Sequence, residues 1–278
     1  MGNYKNKLQE YYATCEDYFI ELGKKDFDYW FSAYYSTLKT MNGEWILDVG
    51  CGVGQIVNRF ADEGFCAVGI DVSPIGIQIA SKQGKGAFMI ASATHLPFHD
   101  GSFASVGFYD FLEHTYDPEI CLNEMVRVLG RYGKIVASAP NFLRVIGLSR
   151  PYHWHMSGVK QRMSNFYNLL RKAIMSKIFP WKMRFEFMQP RLDPKGQGGD
   201  ADAVCVTNPI DIKCHLRKFG VKIVNESAAL NYPKRIIKKV GELPFIRSMS
   251  GFTFLIGIKM ASDGRVENKD GYSRSKLL

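Results

Sequence analysis

An apolar run, Trp45, Ile46, Leu47 and Val49, closes on Asp48-Val49-Gly50-Cys51-Gly52-Val53-Gly54, and no other stretch limits so strongly what this chain can become. Glycines at every second position let a backbone approach a ligand that side chains would exclude. The run therefore reads as a buried strand feeding a ligand-binding turn. Its spacing is G-x-G-x-G. A dinucleotide fingerprint, G-x-G-x-x-G, needs glycine at position 55, where this chain has Gln55. Asp71 lies 21 residues past Gly50, a separation at which such folds place a carboxylate to accept hydrogen bonds from two ribose hydroxyls and to repel a 2′-phosphate.

Around this turn, strands and helices alternate. Residues 66–71 read as a second strand, 87–91 as a third, 103–109 as a fourth and 132–139 as a fifth. Helices are expected from Gly54 to Glu63, from the Ser73 N-cap with Pro74 at the first helical position to about Lys82, and from Asp117-Pro118, with Leu122, Met125, Val126 and Leu129 on one face. The rhythm lapses after Pro140 and resumes with a helix at 209–218, a sixth strand at 221–224 and a seventh at 252–260. This alternation predicts an α/β fold with a doubly wound, mostly parallel sheet.

The glycine turn and Asp71 together resemble the class I S-adenosylmethionine-dependent methyltransferases. The likeness continues through Leu96-Pro97-Phe98, Asp100, Ser102-Phe103, Leu112-Glu113-His114 and Asp117-Pro118 to Arg127-Val128-Leu129 and Gly133-Lys134. It covers residues 44–140 closely and the later elements loosely. It implies a seven-stranded Rossmann-like sheet whose last strand is antiparallel, with S-adenosyl-L-methionine as cofactor. By the same resemblance Asp48, Gly50, Cys51, Gly52 and Gly54 line the methionine part of the cofactor, Asp71 holds the ribose and Val72 flanks the adenine. Ser92, Ala93 and Thr94 border the adenine ring, with Ser92 standing where many family members have an Asp. Phe108 and Tyr109 match positions that commonly touch the cofactor.

The reaction implied is an in-line displacement at a sulfonium methyl. Alignment and dryness can supply on the order of 7–11 kcal/mol toward it, so a strong general base is not required. For a hydroxyl acceptor the candidate bases are His153 and His155, near where an acceptor would enter, and His114, whose other reading is structural. A metal held by His153 and His155 with Asp200 and Asp202 follows no known ligand spacing, and no metal is expected. The six cysteines form no C-x-x-C pair, which argues against a zinc site or a disulfide framework and suits a reducing cytoplasm.

One domain is expected over residues 1–260: a helical lid at 1–43, the cofactor core at 44–139, an acceptor-binding insertion at 140–207 and the end of the sheet at 208–260. A disordered polar tail is expected at 261–278. The aromatics crowding residues 4–40 suit one or two amphipathic helices, either packed on the core or lying over a ligand.

Charge is uneven. Residues 1–139 hold 11 Lys/Arg against 17 Asp/Glu, whereas residues 140–278 hold 25 against 10. Within the insertion Met163, Phe166, Leu170, Ile174 and Ile178 recur at helical spacing, with Arg162, Arg171, Lys172 and Lys177 largely elsewhere on the wheel and Pro180 ending the run. A basic amphipathic helix at 160–180 fits contact with an anionic membrane surface or an acidic, apolar acceptor; its other reading is a helix packed on the sheet with solvated lysines. The expected partner is a small-molecule acceptor, lipid-like or anionic. A sugar ranks second. RNA ranks third, because no RNA-binding module is recognisable. A non-catalytic S-adenosylmethionine-binding regulator is the rival from another class. No stretch approaches the length of a membrane span, so a cytoplasmic protein, peripheral to membrane at most, is expected.

Overall fold

The computed structural model describes residues 2–146, 158–192, 201–227, 248–249 and 251–261. His153, His155 and Asp200, and the expected tail beyond residue 261, lie outside them. The strands are β1 (Trp45–Val49), β2 (Cys66–Asp71), β3 (Ala87–Ile90), β4 (Phe103–Tyr109), β5 (Leu129–Pro140), β6 (Val221–Ser227) and β7 (Phe252–Lys259). They form one sheet in the order β3-β2-β1-β4-β5-β7-β6, parallel from β3 to β5, with β7 antiparallel to both of its neighbours. The mostly parallel, doubly wound sheet expected from the alternation is what forms.

The crossover helices are α5 (Gln55–Asp62), α6 (Pro74–Gln83) and α7 (Pro118–Val128), and α9 (Pro209–Lys218) precedes β6. Local chemistry sets their ends. Ser73 caps α6, its hydroxyl accepting from the Gly76 amide at 3.1 Å, with Pro74 opening the helix. The Asn208 side chain caps α9 by accepting from the Ile210 and Asp211 amides.

Three departures from expectation exceed one or two residues at an element's end. β5 starts at Leu129, not Tyr132, because the β4–β5 register shifts between Phe103 and Ser105 and accommodates Tyr132 at φ 60°. The Lys259 ammonium then donates to the carbonyls of Val126 and Leu129, tying the end of α7 to β7. β6 runs on to Ser227 because β7 continues to pair with it past a bulge. The amino-terminal aromatics lie on four short helices rather than one or two: α1 (Gly2–Thr14), α2 (Glu16–Gly23), α3 (Phe27–Trp30) and α4 (Ser32–Leu38). Cys15 breaks from helical geometry between the first two, and the Asp26 carboxylate accepts from the Tyr29 amide at 2.8 Å to start the third.

Both faces of the sheet are covered. On one, Tyr34 and Leu38 of α4 pack with Ile46, Val57 and Phe60; on the other, Leu122 and Met125 of α7 meet Phe108, Ile135 and Leu216. The family-like motif from Leu96 to Arg127 has a structural use. The Arg127 guanidinium donates to the Leu96 and Phe98 carbonyls and pairs with Asp100 and Glu124, bracing the loop before β4. The insertion supplies α8 (Val159–Ile178), which packs on α9, then a 3-10 turn at Pro180–Lys182 and an antiparallel bridge between Phe187 and Cys205.

Candidate active site

β1 pairs with β2 on one side and β4 on the other, so the crossovers diverge there and leave a crevice beyond the carboxyl ends of the strands, where doubly wound sheets bind ligands. A cavity of about 440 Å³ occupies it. Its floor is the turn after β1. Gly50 and Gly52 both have positive φ, and the Gly50 and Cys51 amides donate to the Ile70 carbonyl. The Gly52 amide donates to Asp71 Oδ2 at 2.9 Å while Asp71 Oδ1 accepts from the Ser73 amide at 2.9 Å. Burial raises the Asp71 pKa, against the two amides, which lower it. A carboxylate has about four acceptor positions, so both oxygens retain capacity for a ligand's hydroxyls.

Asp48 is 3% exposed. It pairs in register with Gly69 of β2 and Gly107 of β4, so no side chain crowds it from either neighbouring strand. A Cβ at Gly107 would strike Tyr34, whose hydroxyl instead reaches Asp48 Oδ1 at 2.8 Å. Burial pushes the Asp48 carboxyl up to about 7, although the Tyr34 hydrogen bond acts the other way. A carboxyl raised by folding favours the native state while protonated. That stability is complete below the unfolded value and is lost as pH rises through about 7, by on the order of 4 kcal/mol. Chemical denaturation of the ligand-free protein across that window is expected to show the decline, and Asp48→Asn to flatten it.

The cavity roof comes from the amino-terminal helices and the insertion. Leu8, Tyr11 and Tyr12 of α1 and Tyr18, Phe19 and Leu22 of α2 face it. The Tyr12 hydroxyl donates to Asp202 Oδ2 at 2.7 Å, and the Ser73 hydroxyl donates to the Tyr12 carbonyl at 2.6 Å. Burial, then the adjacent Asp202 charge, hold the Tyr12 phenol protonated. His114 also lines the cavity, with Nδ1 3.3 Å from Asp202 Oδ2 and its ring edge-on to Tyr12. The Glu113 carbonyl accepts from the Val204 and Cys205 amides, which docks the end of the insertion against the Leu112–His114 turn. Three segments far apart in sequence thus meet at one carboxylate.

Of the residues singled out in the sequence, Asp48, Gly50, Cys51, Gly52, Asp71, Val72, Ser92, Ala93, Thr94, Tyr109 and His114 line this cavity. Gly54 does not. It stands at the N-cap of α5 at φ +74°, where a Cβ would press on Phe88 and Ala80. Phe108 does not either, because successive strand residues point to opposite faces, and Phe108 lies in the core while Tyr109 reaches the crevice. Asp202 is a lining residue that no motif marks, and the tyrosines of α1 were visible only as aromatic crowding. Among the described residues no group of three or more His, Cys, Asp or Glu is placed to hold a metal ion.

The arrangement suits a cationic nucleoside. One buried carboxylate, Asp48, and one half-buried, Asp71, face a cavity within the usual size of small-molecule sites, tyrosine faces can steady a sulfonium, and the glycine turn lets the ligand lie against backbone. Fold and crevice therefore define a doubly wound α/β domain with a ligand-sized crevice at its switch point. Residues 47–137 match the family described as a methyltransferase domain, the stretch over which the sequence resembles the class I S-adenosylmethionine-dependent methyltransferases.

An uncharacterised methyltransferase of Mycobacterium sp. (strain JLS) is 36% identical over 121 residues, 43% of this chain and 47% of that protein. The demethylmenaquinone methyltransferase of Thermobifida fusca is 30% identical over 143 residues, 49% of this chain and 60% of the relative. The shared stretch spans about half the length of these curated relatives. The solved S-adenosylmethionine-dependent methyltransferase from Mesorhizobium loti shares the fold at a TM-score of 0.52 and 16% identity, over 81% of this chain and 95% of that one.

Proposed function

We propose that this protein transfers the methyl group of S-adenosylmethionine to a small, apolar acceptor. The observation that carries the reading is the glycine turn with Asp48 and Asp71 beneath an aromatic roof. When bound, the cofactor supplies an electrophilic methyl on a sulfonium. Asp71 holds ribose hydroxyls, Asp48 faces the cationic end, and Ala91 to Thr94 border the base. The roof tyrosines exclude water and leave an apolar path for an acceptor, so most of the catalytic effect comes from alignment in a dry site. Among the described residues, His114, with Nδ1 3.3 Å from Asp202 Oδ2, is a candidate to take a proton from an acceptor hydroxyl. Two relatives are named as demethylmenaquinone methyltransferases, which supports an apolar acceptor over a sugar or RNA. The insertion at 140–207, which contributes Asp202 to the cavity, is read as the acceptor-binding part of a single methyltransferase domain spanning residues 1–260.

Incubation with methyl-labelled cofactor and separate lipid, saccharide and RNA extracts tests this reading. Label is expected in the lipid fraction. Label confined to RNA would refute the acceptor class, and tight cofactor binding with no label in any fraction would refute methyl transfer. In a second measurement, Asp71→Asn is expected to weaken the cofactor about ten- to a hundredfold by calorimetry, since charge-assisted hydrogen bonds each contribute about 1.5–3 kcal/mol. An unchanged affinity would remove Asp71 from the ribose role.

A further inference from the structure

α8 is amphipathic in the reverse of the usual sense. Its inner face is polar: Asn165, 2% exposed, donates to the Arg144 carbonyl at 2.9 Å, and Lys172, 4% exposed, pairs with Asp211 at 2.8 Å. Leu169 is the apolar residue buried beside them. The opposite face carries Met163, Tyr167, Leu170, Ile174 and Ile178, all between 43% and 66% exposed, at helical spacing along one stripe. Trp181, 62% exposed, follows α8 in the adjoining turn. A contiguous apolar stripe of this kind on a soluble face marks an interaction site.

Charge decides what fits it. Residues 158–184 carry no Asp or Glu and seven Lys or Arg, of which Lys172 is turned inward to Asp211 and Arg171 pairs with Glu186 at 2.7 Å. Lys160 and Lys177 are exposed on the helix, and Lys182 lies over the Phe179 ring in the adjoining turn. A second copy docked stripe to stripe would bring these cations together, which disfavours self-association. Apolar side chains bordered by lysine and arginine, with a tryptophan at one end, match the boundary between anionic headgroups and acyl chains. No helix of the described residues is long and apolar enough to cross a membrane, so the contact would lie in the plane of the surface. We propose that the outer face of α8 and Trp181 seats the protein on an anionic lipid surface. This does not depend on the methyl-transfer reading.

The test is flotation of the full chain with vesicles of pure phosphatidylcholine and with vesicles of equal parts phosphatidylcholine and phosphatidylglycerol. Recovery with the anionic vesicles, little with the neutral ones and release by high salt are expected. The double variant M163E/I174E, which alters only outward-facing positions, is expected to bind anionic vesicles about tenfold more weakly or less, while its circular dichroism and its affinity for S-adenosylmethionine stay those of the parent. Equal recovery on both vesicle types, a double variant that floats like the parent, or a parent that is dimeric in solution and monomeric after the substitutions would overturn the proposal. None of these results would bear on labelling by the cofactor.

Discussion

Gly52→Val is expected to remove binding of S-adenosylmethionine and of its demethylated product, with affinity reduced at least about a hundredfold. Gly52 sits at φ +53° and lines the cavity, its amide donating to Asp71 Oδ2. A β-branched residue is strained in that region of backbone space, by roughly 1–2 kcal/mol. Its Cβ would also stand 2.6 Å from Leu22 Cδ2 of the roof. Leu22 can swing away at modest cost, but the branched methyls then fill the crevice and the turn must shift, so the Asp71 carboxylate loses the amide that orients it. The larger effect therefore falls on the ligand rather than on the fold. Calorimetry with both nucleosides, beside a thermal melt, checks this. Parental affinity in the variant would mean that the turn is not the cofactor's cradle.

The second large effect concerns stability. Lys172→Met is expected to destabilise the protein by about 3–5 kcal/mol, because it strands the Asp211 carboxylate, which is 0% exposed, without its cation. Asn208 Nδ2 would still donate to Asp211 Oδ2 at 2.7 Å. That single neutral donor does not replace an ammonium. Burial already raises the Asp211 pKa and Lys172 acts against it, so losing Lys172 drives the carboxyl further toward its neutral form. The double variant K172M/D211L is expected to recover most of the loss, since two apolar groups of similar shape leave no buried charge. Denaturant unfolding of both variants measures it, and a single variant within about 1 kcal/mol of the parent would show that the pair contributes little.

How far each feature could be read in advance follows from the range of the force that sets it. β2 and β4 form over the residues expected from their apolar runs, α6 starts at the Ser-Pro signal and α9 at Pro209, because hydrophobic period, caps and proline geometry act within one turn or one strand. The insertion helix ends at Ile178, before Pro180, for the same reason. The G-x-G-x-G turn was equally legible, since it needs only local backbone freedom. Gly54 and Phe108 show the limit. Both stand within a recognisable motif, yet helix packing and strand alternation turn them away from the crevice.

Periodicity placed a stripe on α8, but a stripe does not say which side meets the protein. Lys172, which looked like one more solvated lysine, is buried because Asp211 waits for it 39 positions later in the chain. The near-neutral poise of Asp48 likewise depends on glycines in two other strands and on Tyr34 from a helix before them. Tyr12, His114 and Asp202 share no local signal at all; only closure of the roof brings them together. Residue order by itself determined the sheet, its crossovers and the glycine turn, because those rest on short-range sterics and on burial of regularly spaced apolar groups. Tertiary structure alone decided which charges lose water and which apolar faces keep it, because desolvation depends on neighbours that arrive from distant parts of the chain.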